Sequence, residues 1–334
     1  FLTALTIQNT SLSLLTRYSR GVLKEQYLTI TLIMLSEIVK CLISLVGVFV
    51  TRKDVNFTSH IVFLMKNSLV SSVPALIYFI QNILYQVSLS HIQPGLYSVL
   101  SQVKILSAAI LSVLILGKKL TMTQWRALCL LVMSVIIVEG ASRTSESGDA
   151  TSLSNYIIGV SAALFAATAS GFSGVYMEKI LKNKVSEGPK LNLWERNFQL
   201  SIYSIAFSII NTLVFSPKSI FQSGSIFQHF TFSAFLLVLI MSIGGILVAL
   251  VMTYADVIVK GFAASIAIVC TSTLSYFIFG TPISLEFAMG AVGVIISIAN
   301  YNDENAKWAT QHPNGDVLPN TEMKDNSVQE TETS

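Results

Sequence analysis

The most constraining feature of this chain is a succession of long, nearly uninterrupted apolar runs separated by short polar connections. A bilayer-spanning helix needs about 20 mostly apolar residues. By that criterion the sequence holds ten such runs, roughly 1–16, 27–50, 66–89, 93–116, 122–140, 153–181, 193–215, 231–253, 257–279 and 283–301. The chain opens at Phe1 already inside apolar sequence, so the first run is expected to be a shortened membrane helix. Barrel strands alternate polar and apolar residues over about ten positions. These runs do not alternate, so helices are expected. With only 12% charged residues and 52% hydrophobic ones, a water-soluble globule, for which about 25% charge is usual, is disfavoured. The expected fold class is therefore an all-α integral membrane protein.

Orientation follows from the loops. Numbered in order, the even connections carry Arg52, Lys53, Lys66, Lys118, Lys119, Arg126, Lys179, Lys182, Lys184, Lys190, Arg196 and Lys260, against Arg17, Arg20, Lys24, Arg143 and Lys218 in the odd ones, 12 to 5. Positive charge favours the cytosol, which predicts cytosolic even connections and cytosolic termini. From residue 302 the composition turns polar and acidic. The 302–334 segment reads as a disordered, solvated tail, leaving 1–301 as the membrane domain.

The two halves of that domain, roughly 1–140 and 153–301, carry a weak repeat. A shift of 163 residues lays Leu111-Ser112 on Leu274-Ser275, Gly117 on Gly280 and Ser134 on Ser297. Five helices per half invert the second half, and inverted repeats with a binding site at their interface are a transporter architecture.

Ionisable groups inside apolar helices cost at least about 2.5–3.5 kcal/mol on insertion scales, so those retained point to a site. Glu37 and Lys40 lie three apart on one helix face, near enough to pair. They lock packing, face substrate, or do both. Lys104 has no acid within seven residues on either side. It lies on a polar stripe with Tyr97 and Ser101, and an intramembrane ammonium calls for an anion, either a phosphate or a distant acid such as Glu37. Tyr78, Asn82 and Tyr85 share the face of the preceding helix, suited to a planar polar ring or to aromatic packing. Asn197, Ser201, Ser204 and Ser208 form a further stripe, in which the hydroxyls also serve as ordinary helix-packing groups. Lys260 precedes Gly261 at a helix start, where free N–H groups attract anions; the alternative is an interfacial lysine that snorkels to water, with Asp256 as its counter-charge. Ser170-Gly171 permits close backbone approach, with tight helix packing the first role for the glycine and approach of a ligand the second. Together these predict a polar midplane cavity for a dianionic ligand carrying a flat ring and hydroxyls.

Several classes are excluded. The net charge of +3 is too small an excess to suggest nucleic acid. Cys41, Cys129 and Cys270 stand in apolar runs without metal-ligand spacing. There is no DxD motif in a membrane loop, and His60, His91, His229 and His312 are scattered, which argues against a metal-dependent transferase. No cofactor and no metal are expected.

The chain resembles the nucleotide-sugar transporters of the drug/metabolite transporter superfamily, in the subfamily of UDP-galactose, UDP-N-acetylglucosamine and CMP-sialic acid carriers. The likeness covers nearly all of residues 1–301. It rests on Arg17-Tyr18-Ser19-Arg20, Ser36-Glu37-Ile38-Val39-Lys40, Pro74 followed by Tyr78 and Gln81-Asn82, Gln102-Val103-Lys104-Ile105, Gly171 to Lys179, Trp194 with Arg196-Asn197, Gly244-Gly245, and Tyr254-Ala255-Asp256 leading into Lys260-Gly261-Phe262. The resemblance implies ten helices in a five-plus-five inverted repeat, a Golgi or ER membrane, and exchange of a cytosolic nucleotide sugar for a lumenal nucleoside monophosphate. As protein partners it implies a second copy of the chain or Golgi glycosyltransferases. By residue match, Lys104 and Lys260 would grip phosphate, and Glu37 and Lys40 would line the site near phosphate or sugar. Tyr78, Asn82 and Tyr97 would shape the nucleoside pocket, with Asn197, Ser170 and Gly171 completing it. The family often has a Tyr where this chain has Ser101, and a second Asn where it has Ile83. The CMP-sialic acid branch has a Tyr at the place of Ser201. That small residue, with Ile7 to Ser11 and Tyr254-Ala255-Asp256, leans toward UDP-sugars over CMP-sialic acid.

Overall fold

The structure is a computed structural model, and it describes residues 1–53, 56–141, 153–182, 191–215, 230–280 and 284–302. The acidic tail, most of the fifth and seventh connections, and Lys184 and Lys190 lie outside the described residues. The described residues form twelve α-helices: α1 (Leu2–Arg17), α2 (Thr29–Thr51), α3 (Phe57–Lys66), α4 (Leu69–Leu89), α5 (Pro94–Ser101), α6 (Val103–Leu116), α7 (Met122–Ala141), α8 (Leu153–Leu181), α9 (Leu193–Phe215), α10 (Phe232–Tyr254), α11 (Val257–Phe279) and α12 (Leu285–Tyr301). No strand occurs among them.

Among the described residues, six stretches are long and apolar enough to cross a membrane: Thr29–Thr51, Leu69–Leu89, Leu96–Leu116, Asn155–Leu181, Phe232–Tyr254 and Val257–Phe279. Met122–Val138 and Leu285–Tyr301 are shorter apolar helices. Large apolar side chains such as Leu42, Phe49, Leu114, Phe165, Phe277 and Ile295 face outward, as a lipid-facing surface requires. All ten apolar runs are helical, and two local departures separate the structure from the sequence reading. The connection at 51–65 contains a short helix, α3. Its buried His60 and Leu64 dock on α9. The 93–116 run is broken at Gln102, between α5 and α6. There the bonds are three residues apart, Gln102 N–H to Val99 O at 3.2 Å and Ile105 N–H to Gln102 O at 3.0 Å. This tight turn contains neither Pro nor Gly, so the apolar pattern does not reveal it.

Helix ends are set by local chemistry. Gly117 and Gly280 close α6 and α11 in the left-handed conformation, each with φ +67°, which a Cβ disfavours. Thr231, Asp256 and Ser284 accept backbone N–H bonds at the starts of α10, α11 and α12. After α1 the chain continues as a wide π-turn, Tyr18–Val22. Arg20 ties this turn down by donating to Tyr27 O at 2.7 Å and by lying over the Tyr27 ring at 4.0 Å.

Helix contacts follow a pattern. α2 packs on α9, and α7 on α12; α4 and α6 both pack on α8; α10 and α11 both pack on α1; α2 meets α10, and α9 meets α4. Small residues set the closest approaches. A Cβ on Gly171 of α8 would lie 2.8 Å from Ala108 N of α6, and one on Gly174 2.6 Å from Val257 Cγ2 of α11. α8 thereby draws in the helices bearing Lys104 and Lys260.

Candidate functional site

The break at Gln102 and the start of α11 fall beside one another. Between them lies a cavity of about 270 Å³, lined by Lys104 and Gln102 of the α5–α6 segment, Lys260 and Ser265 of α11, Ser170 and Gly171 of α8, and Asn9 of α1. Its apolar walls include Leu5, Ile105, Val248 and Ile268. The Lys104 and Lys260 ammonium groups repel one another through space, and no carboxylate among the described residues lines the chamber. Two like charges in a low-dielectric cavity are stabilised by an anion shared between them. Of the expected residues, the structure brings Lys104, Lys260, Ser170 and Gly171 together.

A second cavity, of about 90 Å³, is lined by Glu37 of α2, Tyr78 and Asn82 of α4, and Ser204, Ser208 and Asn211 of α9. Phe79 stacks on Phe207 in its wall, with ring centroids 5.4 Å apart. Glu37 binds Lys40 of its own helix at 2.6 Å. Lys40 is buried, and Gly245 makes room for it, since a Cβ there would lie 2.8 Å from Lys40 Cδ. Glu37 and the two lysines Lys104 and Lys260 therefore occupy different chambers.

The other expected residues line neither cavity. The Tyr97 ring meets Tyr85 edge-on at 4.9 Å, and Ser101 Oγ donates to Ser98 O at 2.7 Å. Asn197 and Ser201 are fully buried on α9, and Asn197 Nδ2 and Ser201 Oγ make no hydrogen bond among the described residues. Asn9, Ser265 and Asn211 escape the site reading from sequence. Asn211 was within reach of it, being the next turn of the 197–201–204–208 stripe. Asn9 shows in the sequence only within the Ile7 to Ser11 stretch, with no role of its own, and Ser265 carries no signal.

Next to the larger cavity stands a buried ionic cluster. Glu178, with its side chain fully buried, accepts from Lys118 at 2.8 Å and from Lys182 at 2.9 Å. It also accepts from the Val257 backbone N–H at 2.9 Å. Lys118 reaches Asp256 at 3.2 Å, and Asp256 caps α11 through the Val259 N–H at 2.8 Å. Lys182 additionally donates to Ala255 O. This cluster joins the end of α6, the end of α8 and the start of α11, so it fixes the frame that holds both cavity lysines. A second cluster joins α2, α3 and α9: Glu195 accepts from Arg52 Nε at 2.9 Å and lies 2.7 Å from His60 Nε2.

Known proteins share the fold and the family. A solved crystal structure shares the fold with a TM-score of 0.67, covering 92% of this chain and 96% of its own, at 15% identity. The rat UDP-N-acetylglucosamine transporter is 35% identical over 89% of this chain and 92% of its own length. A Caenorhabditis elegans UDP-N-acetylglucosamine/UDP-N-acetylgalactosamine transporter is 36% identical over 91% and 92%. The mouse UDP-galactose translocator is 35% identical over 90% of this chain and 77% of its own length. The family model for nucleotide-sugar transporters matches residues 1–302. This multi-pass membrane protein therefore belongs to the nucleotide-sugar transporter family, whose members are transporters and not enzymes.

Proposed function

We propose that the protein exchanges a cytosolic UDP-sugar, UDP-N-acetylglucosamine or UDP-galactose, for lumenal UMP across the Golgi membrane. The observation that carries this reading is that Lys104 and Lys260 line one chamber whose described lining residues include no carboxylate. The names of the relatives supply the substrate class. The phosphates of either substrate sit between the two ammonium groups, and Ser170 and the bare Gly171 backbone let a ligand approach α8 closely. The smaller chamber, with Glu37, Tyr78 and Asn82, takes the sugar of the UDP-sugar, with Asn197 and Ser201 of α9 buried behind it. Tyr97, Ser101 and Lys40 hold that wall in shape.

The working unit is residues 1–301, ten spans in two inverted halves of five. Support comes from the helix contacts. Exchanging the first five spans for the last five turns the α4–α8 contact into α10–α1, α6–α8 into α11–α1, and α2–α10 into α9–α4. It leaves α2–α9 and α7–α12 unchanged, and every one of these pairs occurs. Gly117 and Gly280, equivalent under the sequence shift, end their helices with the same dihedral angles to within 2°, ψ 24° and 22°. Cytosolic even connections are supported by their ion pairs. Arg52 and His60 meet Glu195, and Lys118 meets Glu178 and Asp256, so these connections gather on one side. Both termini then lie in the cytosol.

Exchange follows from charge. With the chamber empty, two desolvated ammonium groups oppose its passage through an occluded state. With a phosphate bound, the charge is offset and the protein reorients. Proteoliposomes preloaded with UMP should therefore take up UDP-sugar at least tenfold faster than empty ones, and Lys104→Ala should abolish the difference. Equal uptake with and without UMP would sink the exchange mechanism. Faster counterflow with CMP than with UMP would move the assignment to CMP-sialic acid, and neither nucleotide accelerating uptake would leave a carrier for another organic anion.

A further inference from the structure

The larger cavity has a direction. Thr6 Oγ donates to Ala263 O at 3.4 Å and Thr10 Oγ to Ala267 O at 3.5 Å. α1 thus runs parallel to α11 in fixed register, with Asn9 level with residue 266. That is six residues beyond Lys260, or about 9 Å along the helix axis at 1.5 Å per residue. The lysine end and the Asn9 end of the chamber are separated by about the span from a nucleotide's phosphate to the pairing edge of its base.

Asn9 is half-buried in the cavity lining. Its side-chain amide makes no hydrogen bond to any described residue, while its backbone oxygen accepts from Ser13 Oγ at 3.0 Å. The chamber it lines is also walled by Leu5, Val248, Ser265 and Ile268. A carboxamide presents one acceptor and two donors, and a bound ligand that strips water from them without replacing those bonds loses affinity. The pairing edge of a pyrimidine offers an adjacent N–H and carbonyl, which a carboxamide meets with two parallel hydrogen bonds. Sugar hydroxyls beyond the phosphates would extend from the lysines away from the nucleoside, not along the same path toward Asn9.

We infer that Asn9 is a specificity-determining residue that reads the pairing edge of the pyrimidine, through the N3–H and an adjacent carbonyl of uracil, while Lys104 and Lys260 hold the phosphate. This rests on the UDP-sugar:UMP reading above. It uses the same chamber but adds the residue that recognises the base.

A double-mutant cycle between protein and ligand tests it. UMP and N3-methyl-UMP are titrated against the purified full chain and against Asn9→Ala, with Asn9→Ser as a second variant should the alanine protein not be recovered folded. In the unaltered protein the methyl group blocks the N3–H bond, and affinity should fall about tenfold or more, the scale of a lost bidentate base contact. In either variant UMP itself should bind about tenfold more weakly, and the additional methyl penalty should vanish. The same methyl penalty in all backgrounds would assign Asn9 to packing or to the sugar and overturn the inference while leaving the antiport reading standing. Failure of the unaltered chain to bind UMP at all would sink the antiport reading, and this inference with it.

Discussion

Glu25 shows how a single side chain fastens the connection opposite the ionic clusters. It accepts from Ser19 Oγ at 2.5 Å, and it also accepts from Ser233 Oγ at the start of α10. Burial pushes the Glu25 carboxyl up. The hydroxyl groups of Ser19, Ser233 and Thr231, with the Arg20 charge, outweigh that and hold it below its ordinary value of 4.5. A carboxyl whose folded pKa is depressed contributes stability above its unfolded pKa, and that stability is lost as pH falls through the folded value. The protein should therefore lose thermal stability on acidification below its ordinary carboxylate range, and Glu25→Gln should flatten that limb of a melting-temperature profile between about pH 3 and 5. An unchanged acid limb in the variant would show that the contact with Ser233 does not anchor α10.

At the scale of helices, glycine decides which elements can touch. Gly171 faces Ala108 N at 2.8 Å and Ser107 Cβ at 2.9 Å, measured from where a Cβ would stand, whereas Gly21 has nothing within 4 Å of that point. Backbone cannot yield as a flexible side chain does. Gly171→Ala should therefore push α8 off α6 and destabilise the protein by about 1–3 kcal/mol, with nucleotide binding weakened because the gap opens beside Lys104. Gly21→Ala should melt like the unaltered chain. Melting temperatures of the two variants in detergent, with and without UMP, check this, and equal melting would mean that the close approach of α8 is dispensable.

These elements also mark what the amino-acid order makes legible. Lys104 and Lys260 stand out because a charge inside a long apolar run has few structural uses, and both do face one cavity. Glu37 stands out for the same reason, but its chamber is a separate one, since the sequence carries no distance between helices. Asn82 and Tyr78 are readable from helical spacing alone. Asn9 is not, because one amide among the Thr and Ser residues of a short apolar run resembles an ordinary helix-packing group. The break at Gln102 is hidden because a 3₁₀-type turn can form without proline or glycine, and α3 because ten residues are too few to register as a span.

For the whole molecule, the proposed exchange would make the ionic cluster beside the lysine chamber a gate. Lys118, Glu178, Lys182 and Asp256 come from the ends of α6 and α8 and from the start of α11, three helices that line the cavity. α8, with 29 residues, is about 43 Å long, longer than the roughly 30 Å hydrocarbon core. This allows its Glu178 end to stand at the membrane surface, where water and ligand enter. In alternating access the halves move as bodies about a central site, so contacts that bridge the two halves at one end must part when that end opens. Lys118 belongs to the first half, and Glu178 and Asp256 to the second. The first-half to second-half bonds of Lys118 are thus the ones expected to break with each cycle, whereas Lys182 to Glu178, within one half, should persist. This predicts the outcome of cross-linking. In a chain with Cys41, Cys129 and Cys270 replaced by alanine, cysteines at positions 118 and 256 are joined with a short bis-methanethiosulfonate reagent. UMP-driven counterflow should then stop, and a reductant should restore it. The same reagent bridging positions 178 and 182, one turn apart on α8, should leave the rate within about twofold of the uncross-linked double variant, because no contact between the halves is frozen. Undiminished exchange with positions 118 and 256 joined would mean that the halves do not separate at this end, and that the path to the lysines runs elsewhere.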